Sequence, residues 1–219
     1  MNPFPLRQMV YDKILNYILD GKIGSGEKLG EIQLAKELGV SRTPVREAFL
    51  QLEKKGWLDL HSNSGAVVKK ITASQIEEMF NMISVLEGYA VEMTTQGIRT
   101  GDISYLNDLC SRIEKLGAAR DYLRYAEKDS EFHNFFVTKT GNRTLQETVQ
   151  DMRRKVHTSG LTLPFHMDQY LIMHKKIVGA IAKKNPQRAG NLMRVHVQEV
   201  KGFVLEKLHQ FRGNGKFAL

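Results

Sequence analysis

The sequence contains one cysteine, Cys110, among its 219 residues. A single cysteine cannot form an internal disulfide or a zinc site built from several thiolates, so any metal site must use histidine and carboxylate ligands. The sequence also lacks a run of about 18 uncharged residues that could span a membrane, and its first residues lack the apolar core of a signal peptide. We therefore expect a cytoplasmic protein in a reducing compartment, with no membrane partner.

Several catalytic signatures are missing as well. The sequence has no P-loop and no Rossmann glycine motif, and it lacks the HExxH and adjacent His-Asp patterns of metal-dependent enzymes and the paired Glu-x-x-His motifs of di-iron bundles. We therefore do not expect an enzyme. A helical metallohydrolase remains as an unfavoured alternative.

The charge is unbalanced, with 32 Lys and Arg against 24 Asp and Glu, a formal net charge of +8. Such a balance favours a polyanionic partner, of which nucleic acid is the commonest. Residues 1–72 carry 11 basic and 8 acidic groups, net +3, which leaves +5 for the rest of the chain. Net charge therefore does not locate a binding surface, and local patterns have to do so.

The first seventy residues have the pattern of three helices. Apolar residues recur at helical spacing from Leu6 to Asp20, and a short amphipathic segment follows from about Glu31 to Leu38. After a turn at Gly39, Thr43 is a candidate N-cap and Pro44 suits the first helical position of a third helix. This arrangement predicts a helix-turn-helix, with Arg42 and Arg46 where a recognition helix meets bases and phosphates.

Two short β-prone runs come next, WLDL and AVVKKI, joined by HSNSG. Such runs around a Ser/Asn/Gly turn predict a β-hairpin, so the first domain is expected to be a winged helix-turn-helix. The wing residues Ser64 and Gly65 would then lie along a DNA groove, beside His61 and Asn63.

The run GEKLGEIQLAKELGVSRTPVREAFLQLEKKGWL resembles the DNA-binding domain of the GntR family of bacterial transcription regulators, with LGVSRTPVREA as its most specific part. The resemblance implies that Arg42 and Arg46 read bases, that Ser41 and Thr43 contact phosphates, and that Gly65 is the wing-tip glycine. Many relatives have an arginine in the second helix where this sequence has Ile32, so one basic DNA contact is missing and operator preference is expected to differ.

Beyond Thr72 the pattern is helical throughout. Apolar stripes separated by glycines and by Asn185-Pro186 predict six helices, at residues 73–96, 102–117, 119–139, 143–158, 168–184 and 186–211. The predicted protein is therefore mainly α, with a winged helix-turn-helix of three helices and a β-hairpin at residues 1–72 and an all-α six-helix effector bundle at residues 73–219.

Four polar residues interrupt the apolar stripes of this bundle. Asp129 and His133 lie four residues apart on one inner face, and His174 and His196 lie on the inner faces of two later helices. Each would be costly to bury alone, whereas together they could bind a divalent cation.

Three segments resemble blocks of the FCD effector domain of the FadR branch: EKDSEFHNFF, IMHKKIVGAI and RAGNLMRVHVQEV. The resemblance implies that Asp129, His133, His174 and His196 bind a metal, which by ligand type is zinc, nickel or manganese. It also implies that a small carboxylate occupies the remaining metal positions. Relatives often pair this carboxylate with an arginine in the first effector helix, where this sequence has Ile83. Arg153 or Arg154 is the expected substitute.

The expected function is that of a metal-dependent, ligand-responsive transcription regulator that acts as a repressor. It would bind an inverted-repeat operator as a homodimer and respond to a small organic acid. The main alternative keeps the DNA-binding domain but gives the metal a purely structural role.

Overall fold

The computed structural model describes residues 3–19, 22–61, 65–156 and 167–213. The chain divides into two compact units, the first made mainly of residues up to Thr72 and the second beginning at Ala73. Arg154 to Val156, at the end of a later helix, group with the first unit. Among the described helices, none is both long and apolar enough to cross a membrane.

The first unit consists of three helices and a small antiparallel sheet. The helices are α1 (Pro3–Leu19), α2 (Glu31–Leu38) and α3 (Arg42–Lys54), and the strands are β1 (Lys28–Leu29), β2 (Leu58–His61) and β3 (Gly65–Val68). Strand β3 lies between the other two, with Leu58 opposite Val68 and His61 opposite Gly65. The predicted winged helix-turn-helix is therefore confirmed, with β1 as a third strand that the hairpin pattern did not predict.

Apolar stripes on the three helices meet the sheet in one core. Val10, Ile14 and Val45 are fully buried, and Trp57 is buried in the same cluster. The turn between α2 and α3 contains Gly39 at φ +66°, a left-handed conformation that favours glycine.

The predicted start of α3 is wrong by two residues. The helix begins at Arg42, and its N-cap is Ser41, in an extended conformation, rather than Thr43. Pro44 occupies the third helical position, where a missing N–H costs no hydrogen bond because the first four amides of a helix have no intrahelical acceptor. Arg42 is consequently the first residue of the helix, and Arg46 lies about one turn later.

In the described residues of the second unit, all regular secondary structure is helical, as predicted. Its six described helices are α4 (Ala73–Gln96), α5 (Thr100–Ala118), α6 (Tyr122–Lys139), α7 (Arg143–Val156), α8 (Met167–Ala182) and α9 (Pro186–Gly213). Helix α9 packs against α4 and α8, and α6 packs against α4 and α5. The side chains of Ile83, Phe132 and Ile177 are fully buried in the resulting core. This packing directs the inner faces of α4, α6, α8 and α9 toward one another.

Candidate functional site

Three buried histidines meet inside the helical bundle. His133 lies on α6, His174 on α8 and His196 on α9, and each has at most 2% of its surface exposed. The Nε2 atom of His196 lies 3.1 Å from Nε2 of His174 and 3.3 Å from Nε2 of His133. The three rings therefore direct the same nitrogen toward a common point.

Asp129 lies on α6, one turn before His133, and is the fourth member of the cluster. Its Oδ1 lies 3.5 Å from Nε2 of His174, and its Oδ2 lies 3.9 Å from Nε2 of His133. About a quarter of the Asp129 side chain is exposed, whereas the histidines are enclosed. The structure thus brings together all four residues that the sequence pattern singled out, and the more accessible side of the cluster is at Asp129.

The spacing of these atoms matches the spacing of ligands around one cation. Two ligand atoms at right angles around an ion with bonds of about 2.1 Å lie about 3 Å apart. Facing imidazole nitrogens at this distance place their lone pairs against each other unless a proton or a cation lies between them. The donor set of three imidazoles and one carboxylate suits zinc, nickel or manganese.

Glu87 is a member of the site that the sequence reasoning missed. It lies on α4 with its side chain 1% exposed, and its Oε2 is 2.7 Å from Nδ1 of His133. A carboxylate can only accept here, so Nδ1 of His133 carries the proton and the Nε2 lone pair faces the cluster. Glu87 was detectable, because it lies four residues after Ile83 on the same apolar stripe of α4.

Arg153, on α7, neutralises Glu87 from the other side. Its Nε and Nη2 both donate to the Glu87 carboxylate, with Nη2 at 2.8 Å from Oε2. Burial alone would raise the pKa of Glu87, but the charge of Arg153 and the hydrogen bonds from Arg153 and His133 lower it well below its usual range. Glu87 is therefore an ionised carboxylate that links Arg153 to His133.

The environment also keeps two of the histidines neutral. Burial lowers the pKa of His174 and of His196 well below the ordinary value, and a neighbouring histidine and Arg153 lower it further. A neutral imidazole retains a lone pair on one ring nitrogen, which is the form that binds metals.

The two arginines considered for ligand binding differ in position. Arg153 belongs to the helical unit and touches the site through Glu87, whereas Arg154 groups with the first unit. Ile83, at the position where relatives often have an arginine, is buried in the core. Arg153 is thus the arginine that the structure places beside the histidines.

The candidate DNA-contacting residues lie on the surface of the first unit. Ser41, Arg42, Thr43 and Arg46 are all exposed around the start of α3. Arg42 makes a loose ion pair with Glu31 of α2 at 3.2 Å, an exposed contact that a phosphate can replace. Ile32, which the resemblance places where many relatives have an arginine, lies exposed on α2.

The wing begins at a position that only glycine can occupy. Gly65 has φ +92°, and a Cβ atom built on it would lie 2.1 Å from the carbonyl oxygen of Leu29. The close approach of β1 to β3 therefore requires glycine. The neighbouring Ser64, predicted to contact DNA, lies outside the described residues.

Comparison with known proteins identifies both units. The model of the gntR family of bacterial regulatory proteins matches residues 6–68, and the FCD domain model matches residues 78–199, more than half of the chain. The HTH-type transcriptional regulator YdhC of Bacillus subtilis is 27% identical over 198 residues, which cover 89% of this chain and 88% of the relative. The HTH-type transcriptional repressor RspR of Escherichia coli is 24% identical over 217 residues, which cover 97% and 93% of the two chains.

Solved structures share the fold. Escherichia coli McbR/YncC superposes with a TM-score of 0.76 at 19% identity, covering 93% of this chain and 98% of that one. A GntR regulator from a Rhodococcus species gives a TM-score of 0.75 at 24% identity, covering 92% and 98%. The two families and the named relatives are regulators rather than enzymes, which removes the metallohydrolase alternative. The chain belongs to the GntR family of bacterial regulatory proteins and is a DNA-binding transcription regulator with an FCD domain.

Proposed function

We propose that this regulator is a metal-containing repressor whose binding to an inverted-repeat operator, as a homodimer, is controlled by a small organic acid. The observation that carries the proposal is the convergence of three histidine Nε2 atoms and the Asp129 carboxylate inside the helical bundle. Burying these groups together without a cation would leave their desolvation uncompensated.

Asp129, His133, His174 and His196 would hold the metal. The ion, when bound, supplies a Lewis-acid centre with up to two positions left for ligand oxygens if it is six-coordinate. Glu87 fixes the His133 ring so that Nε2 faces the site. The three enclosed histidines would hold the ion from within, and a ligand would arrive from the side of the partly exposed Asp129.

A carboxylate is the ligand class that suits this accessible side. The Arg153 side chain is about a quarter exposed, and its positive charge acts on Asp129 as well as on Glu87. An anionic ligand would thus meet both the metal and a nearby guanidinium.

The DNA-reading surface would be the start of α3. Arg42 and Arg46 would reach base edges, Ser41 and Thr43 would contact phosphates, and the wing residues Ser64 and Gly65 would lie along a groove. Two copies related by a twofold axis would read the two halves of an inverted repeat. RspR of Escherichia coli and a D-xylose utilisation regulator of Paenarthrobacter nicotinovorans are named as repressors, which supports repression here.

The test combines metal, ligand and DNA in one series. Purified protein is stripped with a chelator, reloaded with zinc, nickel or manganese, and screened by melting temperature against a panel of small organic acids. We expect the metal to raise the melting temperature and one class of acid to raise it further only with metal present. The same acid should then change the affinity for inverted-repeat DNA from the region upstream of the protein's own gene.

Other outcomes would reject defined parts of the proposal. A metal-induced shift with no acid effect would assign the metal a structural role, which the near-complete burial of the three histidines also suits. No shift with any of the three metals would remove the metal site. No salt-sensitive, sequence-selective DNA binding would remove the operator assignment.

A further inference from the structure

Ile32 is the most exposed large hydrophobic residue in the part of the chain that the structure describes. Its surface is 67% exposed, against 55% for the next in order, Val85. Single exposed hydrophobic residues are ordinary, so exposure alone assigns no role to this side chain. Its position within the helix-turn-helix is what bears on function.

Ile32 lies where the starts of α2 and α3 come together. It is the second residue of α2 and directly follows Glu31. The Glu31 carboxylate lies 3.2 Å from the guanidinium of Arg42, which is the first residue of α3. Because consecutive Cα atoms are about 3.8 Å apart, Ile32 is one residue away from the group that contacts Arg42. The first turn of α2 therefore borders the start of the helix that is expected to read DNA.

The exposed face of α2 has two flanks, and Ile32 is on the one turned away from α1. Gln33 and Glu37, one turn apart, line a shallow groove together with Tyr17 near the end of α1. Ile32 and Lys36, also one turn apart, form the other flank, and both are exposed. An apolar side chain and a cation thus lie side by side on the same flank.

Duplex DNA offers a partner for each of these two side chains. Lys36 can contact a phosphate, whereas an isoleucine can contact only an apolar group. The major groove presents one such group, the C5-methyl of thymine. In a helix-turn-helix the second helix lies in the major groove and the first helix crosses the backbone beside it. The first turn of α2 would therefore lie at the edge of the groove in which thymine methyl groups are exposed.

We propose that Ile32 reads the methyl group of one thymine in each half of the operator. The proposal rests on the operator binding proposed above and adds a third specificity-determining residue to Arg42 and Arg46. This thymine lies within about three base pairs of the base that Arg42 contacts, because base pairs are stacked about 3.4 Å apart and Ile32 is next to the residue that pairs with Arg42. The contact is apolar, so it contributes selectivity without adding to the salt dependence of binding.

The first test removes single methyl groups from the DNA. A binding site is selected from a random pool of duplexes with the full wild-type chain, and each thymine of the selected duplex is then replaced by deoxyuridine in both half-sites. This change deletes only the C5-methyl and keeps the base pair. We expect one thymine per half-site at which wild-type affinity, measured by fluorescence anisotropy at fixed salt, falls about 4-fold per contact, or about 16-fold for the two half-sites together.

The same duplexes are measured with three variants. Ile32→Ala should bind the thymine and deoxyuridine duplexes equally at that position, because the methyl has lost its partner, and this coupling is the signature of a direct contact. Ile32→Val keeps a branched apolar side chain and should retain most of the methyl effect. Met9→Ala, at an exposed apolar position on α1, should behave as the wild type. Melting temperatures and the slope of affinity against salt should stay unchanged in all three variants.

The second test changes the base that is read. The selection from the random pool is repeated with Ile32→Arg. We expect guanine in place of thymine at the same position of each half-site, because an arginine pairs with the N7 and O6 atoms of guanine. Binding by this variant should also depend more steeply on salt, since each half-site gains one cation.

The possible failures separate this inference from the proposed operator binding. Selective binding by the wild type with no methyl effect at any thymine would overturn the role of Ile32 alone. A methyl effect that Ile32→Ala retains, a loss of the effect in Met9→Ala, or an unchanged selected sequence with Ile32→Arg would do the same. Wild-type protein that selects no sequence from the pool would overturn both the operator binding and the role of Ile32.

Discussion

The two units of the molecule carry their candidate functional residues in opposite environments. In the first unit, Ser41, Arg42, Thr43 and Arg46 are consecutive or nearly so, and all are exposed. In the second unit, the four candidate metal ligands span residues 129 to 196, come from three helices, and are enclosed apart from Asp129.

This difference separates two ways of building a site. An exposed arginine on a capped helix is positioned by that helix alone. Water forms hydrogen bonds with its guanidinium group until DNA binds. A buried histidine needs neighbours on every side, because each of its ring nitrogens must find a partner or lose its hydration without compensation. Substitutions of the exposed DNA-contacting candidates should therefore affect function alone, whereas substitutions of the buried histidines should affect function together with stability.

The largest effect is expected from removing both arginines at the start of α3. Arg42→Ala/Arg46→Ala should weaken binding to inverted-repeat DNA by about 2 to 6 kcal/mol, since each base-reading arginine contributes about 1 to 3 kcal/mol. Fluorescence anisotropy at fixed salt measures this loss, and the melting temperature should stay unchanged. Arg112→Ala/Arg124→Ala, two exposed arginines of the second unit, removes the same charge and is the control. Equal losses in the two double variants would mean that only net charge matters.

For His174→Gln, the expected change is in metal-dependent stability. The wild type should gain about 2.7 kcal/mol of stability when the free metal is 100 times its dissociation constant, and the variant should lose most of that gain because a central ligand is missing. Thermal melts with and without metal measure the difference. His61→Gln, an exposed histidine in the first unit, should behave as the wild type. A variant that kept the full metal response would exclude His174 as a ligand.

A smaller effect on metal binding is expected from Glu87→Gln. The amide can no longer hold the proton of His133 on Nδ1 as strongly, and it leaves Arg153 without its charged partner. Metal affinity, measured by competition with a chelator, should fall about 10- to 100-fold. Glu92 lies on α4 as well and pairs with Arg194 of α9, so Glu92→Gln breaks an ion pair of the same helix and should leave metal affinity unchanged. Similar losses in both variants would show a general destabilisation of α4 instead.

The smallest effect is expected from Gly39→Ala, which is compared with the same substitution at a second glycine of the first unit, Gly65. Gly39→Ala places a Cβ in open space at a positive φ and should cost about 1 kcal/mol of stability. Gly65→Ala has the same backbone penalty plus a collision with Leu29, so it should cost about 1 to 2 kcal/mol more. Denaturant unfolding compares the two variants. If Gly65→Ala were no worse than Gly39→Ala, the contact between β1 and β3 would not constrain this position.

The helices were predictable because their apolar residues repeat at the period of the helix, and that signal lies within each segment. The start of α3 was predicted two residues late, since both Ser41 and Thr43 are good N-caps and local sequence does not choose between them. Strand β1 was not predicted, because two residues carry no periodicity and Leu29 becomes a strand only by pairing with Ala66.

The candidate metal site divides in the same way into features of a single helix and features of the packing between helices. The placement of Asp129 and His133 one turn apart on an inner face is a property of one helix, so the sequence identified it. Their meeting with His174 and His196 depends on how α6, α8 and α9 pack, and the pairing of Glu87 with Arg153 depends on α4 and α7. The position of Glu87 on the apolar stripe of α4 is visible in the sequence. An acidic residue among apolar neighbours indicates burial, but it does not identify the residue with which it pairs.

The sequence by itself determined the order of helices, the helix-turn-helix with its exposed arginines, and the identity of four polar residues on buried faces. These depend on contacts within a few residues of chain, where periodicity and capping act. The tertiary structure decided which nitrogen of each histidine faces the cluster, that Glu87 and Arg153 stand behind His133, and that Gly65 has no room for a side chain. Those features arise between segments far apart in sequence, where packing in three dimensions sets the distances.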